Sequence, residues 1–306
     1  MFAVITNPTA GGGRAEIILK GVCELLETRA ISYRVKMTES EEHATRLARE
    51  AALSGCEAIV AVGGDGTLCE IAAGLAERSV PLYFVPCGTG NDFVRVLNFP
   101  ADPLEALIAQ LDGEKIQLDM ATVNGKGFLN VAGSGFDVDV LREVIRFKHV
   151  GKGLLPYLLG LISALRHFHA FDAELTLDTG EVLKESFTII SIANGRFFGG
   201  GMKVAPLAEV TDGLLDVMII RGLPKFAVPF LLPLFITGLH AKLPSICRIR
   251  RCQRVRLFCP GMTFNMDGEL HQMDEADVRI LPGHLTIHLP AASIQKSVRR
   301  AEQISQ

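Results

Sequence analysis

Apolar and polar positions in the first 120 residues alternate between two periods. Phe2 to Thr6 is a short apolar run and predicts a strand. Ile17, Ile18, Gly21, Val22, Leu25 and Leu26 then recur at helical spacing. Ile31 to Met37 predicts a second strand, and Ala44, Leu47, Ala48, Ala51 and Ala52 mark one face of a second helix. Glu57 to Val62 and Pro81 to Val85 predict two more strands, with a helix from Leu68 to Ala76 between them. This order implies an α/β domain: a parallel sheet with helices on both faces.

From about Gln117 the texture changes. Asp119 to Val123 and Phe128 to Ala132 flank Asn124-Gly125-Lys126-Gly127, a hairpin signal. Helical inserts are expected at Val138 to Phe168 and at Phe226 to Leu239. Strands are expected at 173–177, 182–193, 215–220, 246–259, 263–266, 278–281 and 285–289. Short strands between turn signals predict an antiparallel β-sandwich. The expected division is therefore an α/β domain over 1–120, a β-sandwich domain with helical inserts over 121–290, and a C-terminal helix in 291–306 that packs back on the first domain.

Length agrees with two domains, since 306 residues exceed what one core usually carries. Hydrophobic residues make up 48% and charged residues 21%, so the chain is not disordered. The net charge of −3 argues against a nucleic-acid partner. Seven cysteines with no CxxC pair suggest reduced thiols, as in a cytoplasmic protein, rather than a zinc site. Neither apolar insert reaches the ~18 uninterrupted residues of a membrane span. Either could be buried or could touch lipid from one side.

Three glycine-rich loops follow expected strand ends: Asn7-Pro8-Thr9-Ala10-Gly11-Gly12-Gly13, Gly63-Gly64-Asp65-Gly66-Thr67 and Gly88-Thr89-Gly90-Asn91-Asp92. The carboxyl ends of strands form the ligand crevice of an open α/β sheet. Glycine lets backbone amides approach phosphate oxygens, and a following helix adds its unsatisfied N–H groups. One such loop is commonly structural; three on one sheet edge favour phosphate. Neither a Walker A loop nor the dinucleotide fingerprint is present. A carboxylate beside polyphosphate needs an intervening cation, so Asp65 implies Mg²⁺; helix capping is its alternative role.

These residues resemble a known family. Gly63-Gly64-Asp65-Gly66-Thr67, followed by Glu70, is similar to the nucleotide motif of diacylglycerol, sphingosine and NAD kinases and phosphofructokinases. Pro86-Cys87-Gly88-Thr89-Gly90-Asn91-Asp92-Phe93 resembles a narrower motif of diacylglycerol and related lipid kinases. Asn7-Pro8, Thr211-Asp212-Gly213-Leu214-Leu215 and Asp267-Gly268-Glu269 stand in family order. The resemblance implies an NAD kinase-like first domain, a β-sandwich second domain and a nucleotide cleft between them. It implies ATP contacts at Thr38, at Gly64 to Glu70 (including Leu68 and Cys69) and at Thr89. It implies Mg²⁺ on backbone oxygens of Glu209 and Leu214 and the Asp212 side chain, although Asp212-Gly213 also reads as a tight turn. The implied reaction moves the γ-phosphoryl group of ATP to a lipid hydroxyl, for example diacylglycerol giving phosphatidic acid. The implied setting is peripheral contact with a membrane, and a homodimer is compatible with it.

Phosphoryl transfer needs a proton acceptor. The resemblance gives that role to Asp267 or Glu269; the pattern alone reads equally as a hairpin turn, which Asp-Gly favours. No histidine is given a catalytic role. Arg248, Arg250, Arg251, Arg254 and Arg256 form a basic strip near Phe226, Phe230 and Phe235. It could dock on anionic lipid, or it could be an ordinary solvated sheet face. Two rivals remain at this level: an NAD kinase-like enzyme, and a non-catalytic nucleotide- or lipid-binding regulator.

Overall fold

The computed structural model describes residues 1–75, 79–147, 149–150 and 155–290. The expected C-terminal helix in 291–306 lies outside them. The chain forms two compact units, one of Met1–Met120, Glu209–Gly213 and the strand segment after Leu281, the other of Ala121–Ala208 and Leu214–Ile280.

In the first unit the strands β1 (Phe2–Thr6), β2 (Tyr33–Met37), β3 (Ala58–Gly63) and β4 (Leu82–Pro86) pair in parallel in the order β4-β3-β1-β2. Val4 sits between Val35 and Val60, so the apolar runs are in register. Every residue of β3 is buried, as expected for a strand covered on both faces. One face packs on α1 (Arg14–Thr28), through Ala15, Leu19, Val22 and Leu26. The helices α2 (His43–Leu53) and α3 (Asp65–Gly74) pack on each other, α2 against β1 and α3 against β3 and β4. Two further helices, α4 (Asp92–Leu97) and α5 (Pro103–Leu111), follow β4. Residues 103–111 carry a start signal: Asp102 accepts from the amides of Leu104 and Glu105, and Pro103 takes the first turn.

The second unit is antiparallel. Its strands are the end of β5 (Glu114–Val123), β6 (Lys126–Phe128), β7 (Val131–Gly135), β8 (Phe171–Leu177), β9 (Val182–Ala193), β10 (Leu215–Arg221), β11 (Cys247–Cys252), β12 (Arg254–Met266) and the first part of β13 (Glu269–Leu289). The order runs β11-β10-β9-β7-β12-β13, and β8 also bridges β9 and β12. Ile190, Ile192, Val217 and Ile219 point into a core shared with Leu257, Phe264 and Val278. Their neighbours Ile189, Ala193, Met218 and Ile220 point the other way, onto the helical inserts. The near-continuous apolar runs of β9 and β10 thus have two faces to bury. The inserts that cover the second face are α6 (Phe136–Phe147), α7 (Leu155–His167) and α8 (Val228–Thr237).

Two expectations need correction. The late strands are not short: β12 continues through Pro260-Gly261 by a bulge between Phe258 and Met262, and β13 runs unbroken past Pro282-Gly283. Nor does the second domain run continuously over 121–290. The Asp119 carboxylate accepts from the amides of Gly213 (2.7 Å) and Gly283 (2.8 Å), and its own amide donates to the Val210 carbonyl (2.7 Å). One buried aspartate thereby ties residues 210–213 and the later part of β13 to the first unit.

Candidate active site

In the first unit, the candidate nucleotide residues gather at the carboxyl ends of β2, β1, β3 and β4. Asn7 and Pro8 follow β1, and the Asn7 Oδ1 accepts from the amide (3.1 Å) and hydroxyl (2.8 Å) of Thr9 to start the turn. Thr38 follows β2, its amide donating to the Thr6 carbonyl. Gly63 ends β3, and Gly64 precedes α3, whose first turn holds Asp65, Gly66, Thr67 and Leu68, with Cys69 and Glu70 next.

The loops interlock at backbone distance. A Cβ on Gly88 would stand 2.6 Å from the Gly64 Cα. A Cβ on Gly11 would stand 2.0 Å from the Cys87 carbonyl oxygen, and Gly11 has φ of 60°. The three loops therefore touch at points where no side chain fits, while Gly12 faces open space. Asp65 reaches across: Oδ2 accepts from the Asp92 amide (2.9 Å) and Oδ1 from the Phe93 amide (3.1 Å). It caps α4, the helix after the third loop, rather than its own. Burial pushes its carboxyl pKa above the usual value, against the pull of those amides. Asn91 sits at φ 49°, and its Nδ2 donates to the Gly88 carbonyl. Thr89 is exposed and Asp92 buried. Glu70 turns toward α2, where its Oε2 accepts from the Ala44 amide (3.1 Å).

The candidate metal donors lie on the stretch strapped by Asp119. Glu209 is buried, Asp212 is exposed and Leu214 follows the turn. The donors are oxygen only, which suits a hard cation such as Mg²⁺. No three His, Cys, Asp or Glu side chains gather as a metal cage among the described residues. A cation here would depend on backbone, phosphate and water oxygens. Asp119 is a further residue of this stretch, and its signal in the sequence is an acid inside the apolar run Leu118 to Val123.

Asp267 and Glu269 lie in the second unit at the β12–β13 hairpin. Asp267 (φ 48°) and Gly268 (φ 100°) form the turn, and Met266 pairs with Glu269. The Asp267 carboxylate accepts from the amides of Leu129 (2.6 Å), Asn130 (3.0 Å) and Val131 (2.9 Å). Glu269 is half-exposed; its Oε2 is 3.0 Å from the Lys126 Nζ and 3.6 Å from the His271 Nε2. Lys126 and His271 belong to this cluster, and neither carries a local cue in the sequence.

The basic strip resolves as a sheet face. Arg248 pairs with Glu185, Arg250 with Glu181 (2.6 Å), Arg251 with Asp216 (3.1 Å), Arg254 with Asp277 (2.7 Å) and Arg256 with Glu275 (2.5 Å). Each arginine is occupied by an acid of a neighbouring strand or turn.

Two domain families match in tandem. Residues 1–123 match the diacylglycerol kinase catalytic domain, and residues 130–289 match the YegS C-terminal NAD kinase beta sandwich-like domain. The chain belongs to the diacylglycerol kinase-like lipid kinases. A "Probable lipid kinase YegS-like" from Pseudomonas aeruginosa is 34% identical over 268 residues, covering 85% of both chains. A "Diacylglycerol kinase" from Mycobacterium tuberculosis is 29% identical over 295 residues, covering 94% of both. A crystallised diacylglycerol kinase from Bacillus anthracis superposes with a TM-score of 0.73 over 95% of this chain and 97% of that one, at 24% identity, a likeness of fold. Membership makes the chain a phosphotransferase of the lipid kinase type and implies nucleotide use. No described helix of this lipid kinase is long and apolar enough to cross a membrane.

Proposed function

We propose that this lipid kinase uses ATP and Mg²⁺ to phosphorylate a lipid hydroxyl at a membrane surface, with diacylglycerol as acceptor and phosphatidic acid as product. The observation that carries the reading is the interlock of Gly11, Gly64 and Gly88 at one sheet edge, clasped by Asp65. Glycine backbone and helix N-termini at one place make a cradle for a polyphosphate tail. The name of the mycobacterial relative supports diacylglycerol as the acceptor.

Mg²⁺ supplies charge neutralisation on the transferring phosphates. Asp65, with both oxygens already accepting amide hydrogen bonds, suits contact with the cation through water. The backbone oxygens of Glu209 and Leu214 and the Asp212 carboxylate form the second candidate set. The hairpin acids divide the remaining work. Both Asp267 oxygens are committed to backbone amides, so Asp267 fixes the turn. Glu269 keeps lone pairs open to solvent while Lys126 holds it, and it takes the proton of the attacking hydroxyl.

The test is a transfer assay. Purified protein with Mg²⁺ and γ-labelled ATP is offered diacylglycerol, ceramide, sphingosine, monoacylglycerol, phosphatidylglycerol or undecaprenol in mixed micelles, and NAD in solution. Label is expected in phosphatidic acid, and chelation of Mg²⁺ should remove it. A protein that binds ATP yet labels no lipid, or labels NAD instead, defeats the proposal.

A further inference from the structure

The helical insert after β10 presents an unusual outer face. Val228, Leu231 and Phe235 point into the core, and the Phe235 ring stacks on the buried His240 at 4.1 Å. An ordinary surface helix would carry charge on the opposite stripe. Here that stripe is Phe226, Pro229, Phe230, Pro233 and Ile236, all exposed. Phe226 and Phe230 are 77% and 75% exposed, one turn apart. The one polar side chain within residues 226–239, the Thr237 hydroxyl, donates to the carbonyl of Pro233 within the helix. No ionisable group lies between Lys225 and His240.

Charge lies at the rim, and the exposed groups there are basic. Lys225, Lys242 and Arg221 are exposed, and Arg166 meets Lys225, whose Nζ donates to the Arg166 carbonyl. No acidic residue occurs between Asp216 and Asp267. The arginines of that stretch are paired, Arg221 with Glu185 at 3.9 Å and the others as described above, so the rim lysines carry the open positive charge of the insert.

We infer that the outer face of residues 225–242 is the surface by which this lipid kinase docks on an anionic bilayer, inserting Phe226 and Phe230 among the acyl chains while Lys225 and Lys242 meet headgroup phosphates. A protein partner is usually read by directional hydrogen bonds around an apolar centre. This stripe offers none. A bilayer needs none: apolar area and basic charge suffice. The inference rests on the chain being a lipid kinase, whose acceptor resides in a membrane, but binding is measured without turnover and stands or falls separately.

The chain contains no tryptophan, so a single one reports its own surroundings. Phe230→Trp protein is mixed, without ATP, with vesicles of phosphatidylcholine alone or with phosphatidylglycerol. The emission should shift to the blue and be quenched by acyl-chain bromine, more strongly on the anionic vesicles. In co-sedimentation, Phe226→Ser/Phe230→Ser should lower vesicle partition on the order of tenfold or more per ring. Lys225→Gln and Lys242→Gln should each lower it roughly fivefold, on anionic vesicles only. The melting temperature should not change for these exposed positions. Wild-type partition in the serine variant, or an unshifted emission on vesicles that sediment the protein, overturns the inference. So does a dimer that falls apart on the serine substitutions, which would assign this face to a second copy of the chain.

Discussion

Asp267 occupies the left-handed region at φ 48°, and its carboxylate gathers three successive backbone amides from 129–131. Asparagine at this position loses the charge and aims an NH₂ at amides that also donate. Asp267→Asn should cost about 2 kcal/mol or more of stability, read from urea melts, with turnover falling as the hairpin loosens. Glu269 makes no such commitment. Glu269→Gln should lower turnover by roughly 10²–10⁴ and leave both the melt and ATP binding in place. Equal kinetic loss in the two variants with unchanged stability would refute this division of roles. The sequence placed both acids at a turn but could not separate them, because the amides that distinguish Asp267 lie more than a hundred positions earlier.

The gathering of the three glycine loops belongs to the scale of strands and loops. Its existence was legible: glycine clusters after apolar runs mark loops at strand ends, and parallel order puts those ends together. What was not legible is the contact itself, in which Gly88 and Gly64 pack backbone to backbone. Gly88→Ala drives a Cβ against the Gly64 Cα and to 2.9 Å from the Asn91 Oδ1. The loops must part, and a displacement near 1 Å is worth on the order of 10² in rate. Steady-state kinetics should therefore show a raised KM for nucleotide and a kcat/KM lower by that order, with the KM for lipid little changed. The long strands show the opposite difficulty. Pro260-Gly261 and Pro282-Gly283 look like breaks because local propensity favours a turn. Pairing across β12 and β13 overrides it, with the Gly261 amide bound to Asp274 and the Gly283 amide to Asp119. Distant partners of this kind leave no local trace.

For the molecule as a whole, stability against pH combines groups of opposite sign. Arg254 and Arg279 hold the Asp277 carboxyl down at about 2, below the ~3.9 of an unfolded chain. Its stabilisation is present above pH ~4 and is lost as pH falls toward 2. Asp137 behaves inversely. Its Oδ1 is shut off from water without a hydrogen-bond partner, and burial pushes the carboxyl up to about 7. Its ionisation costs nothing below pH ~4, costs progressively more as pH rises to about 7, and is constant beyond. Urea melts at low, intermediate and high pH should show stability declining in both directions. Asp277→Asn should flatten the acid limb, and Asp137→Asn should flatten the decline in stability from pH ~4 to 7 and stabilise the protein near pH 8. An Asp137→Asn variant with the wild-type slope would remove that residue from the account. The boundary between the units belongs to this scale too. The change of texture near residue 120 was visible, whereas the return of 209–213 and 281–289 to the first unit depends on Asp119 and was not.

That return bears on how the protein is made. The parallel sheet takes one more partner when Ile287 comes alongside Leu82, and the Asp119 strap closes only once Gly213 and Gly283 exist. On a ribosome adding ~5–20 residues per second, the nascent nucleotide-binding unit waits roughly ten to thirty seconds for its last pieces to emerge. During that interval one edge of its sheet is bare, and the newborn chain depends on whatever in the cell shields unfinished sheets from one another.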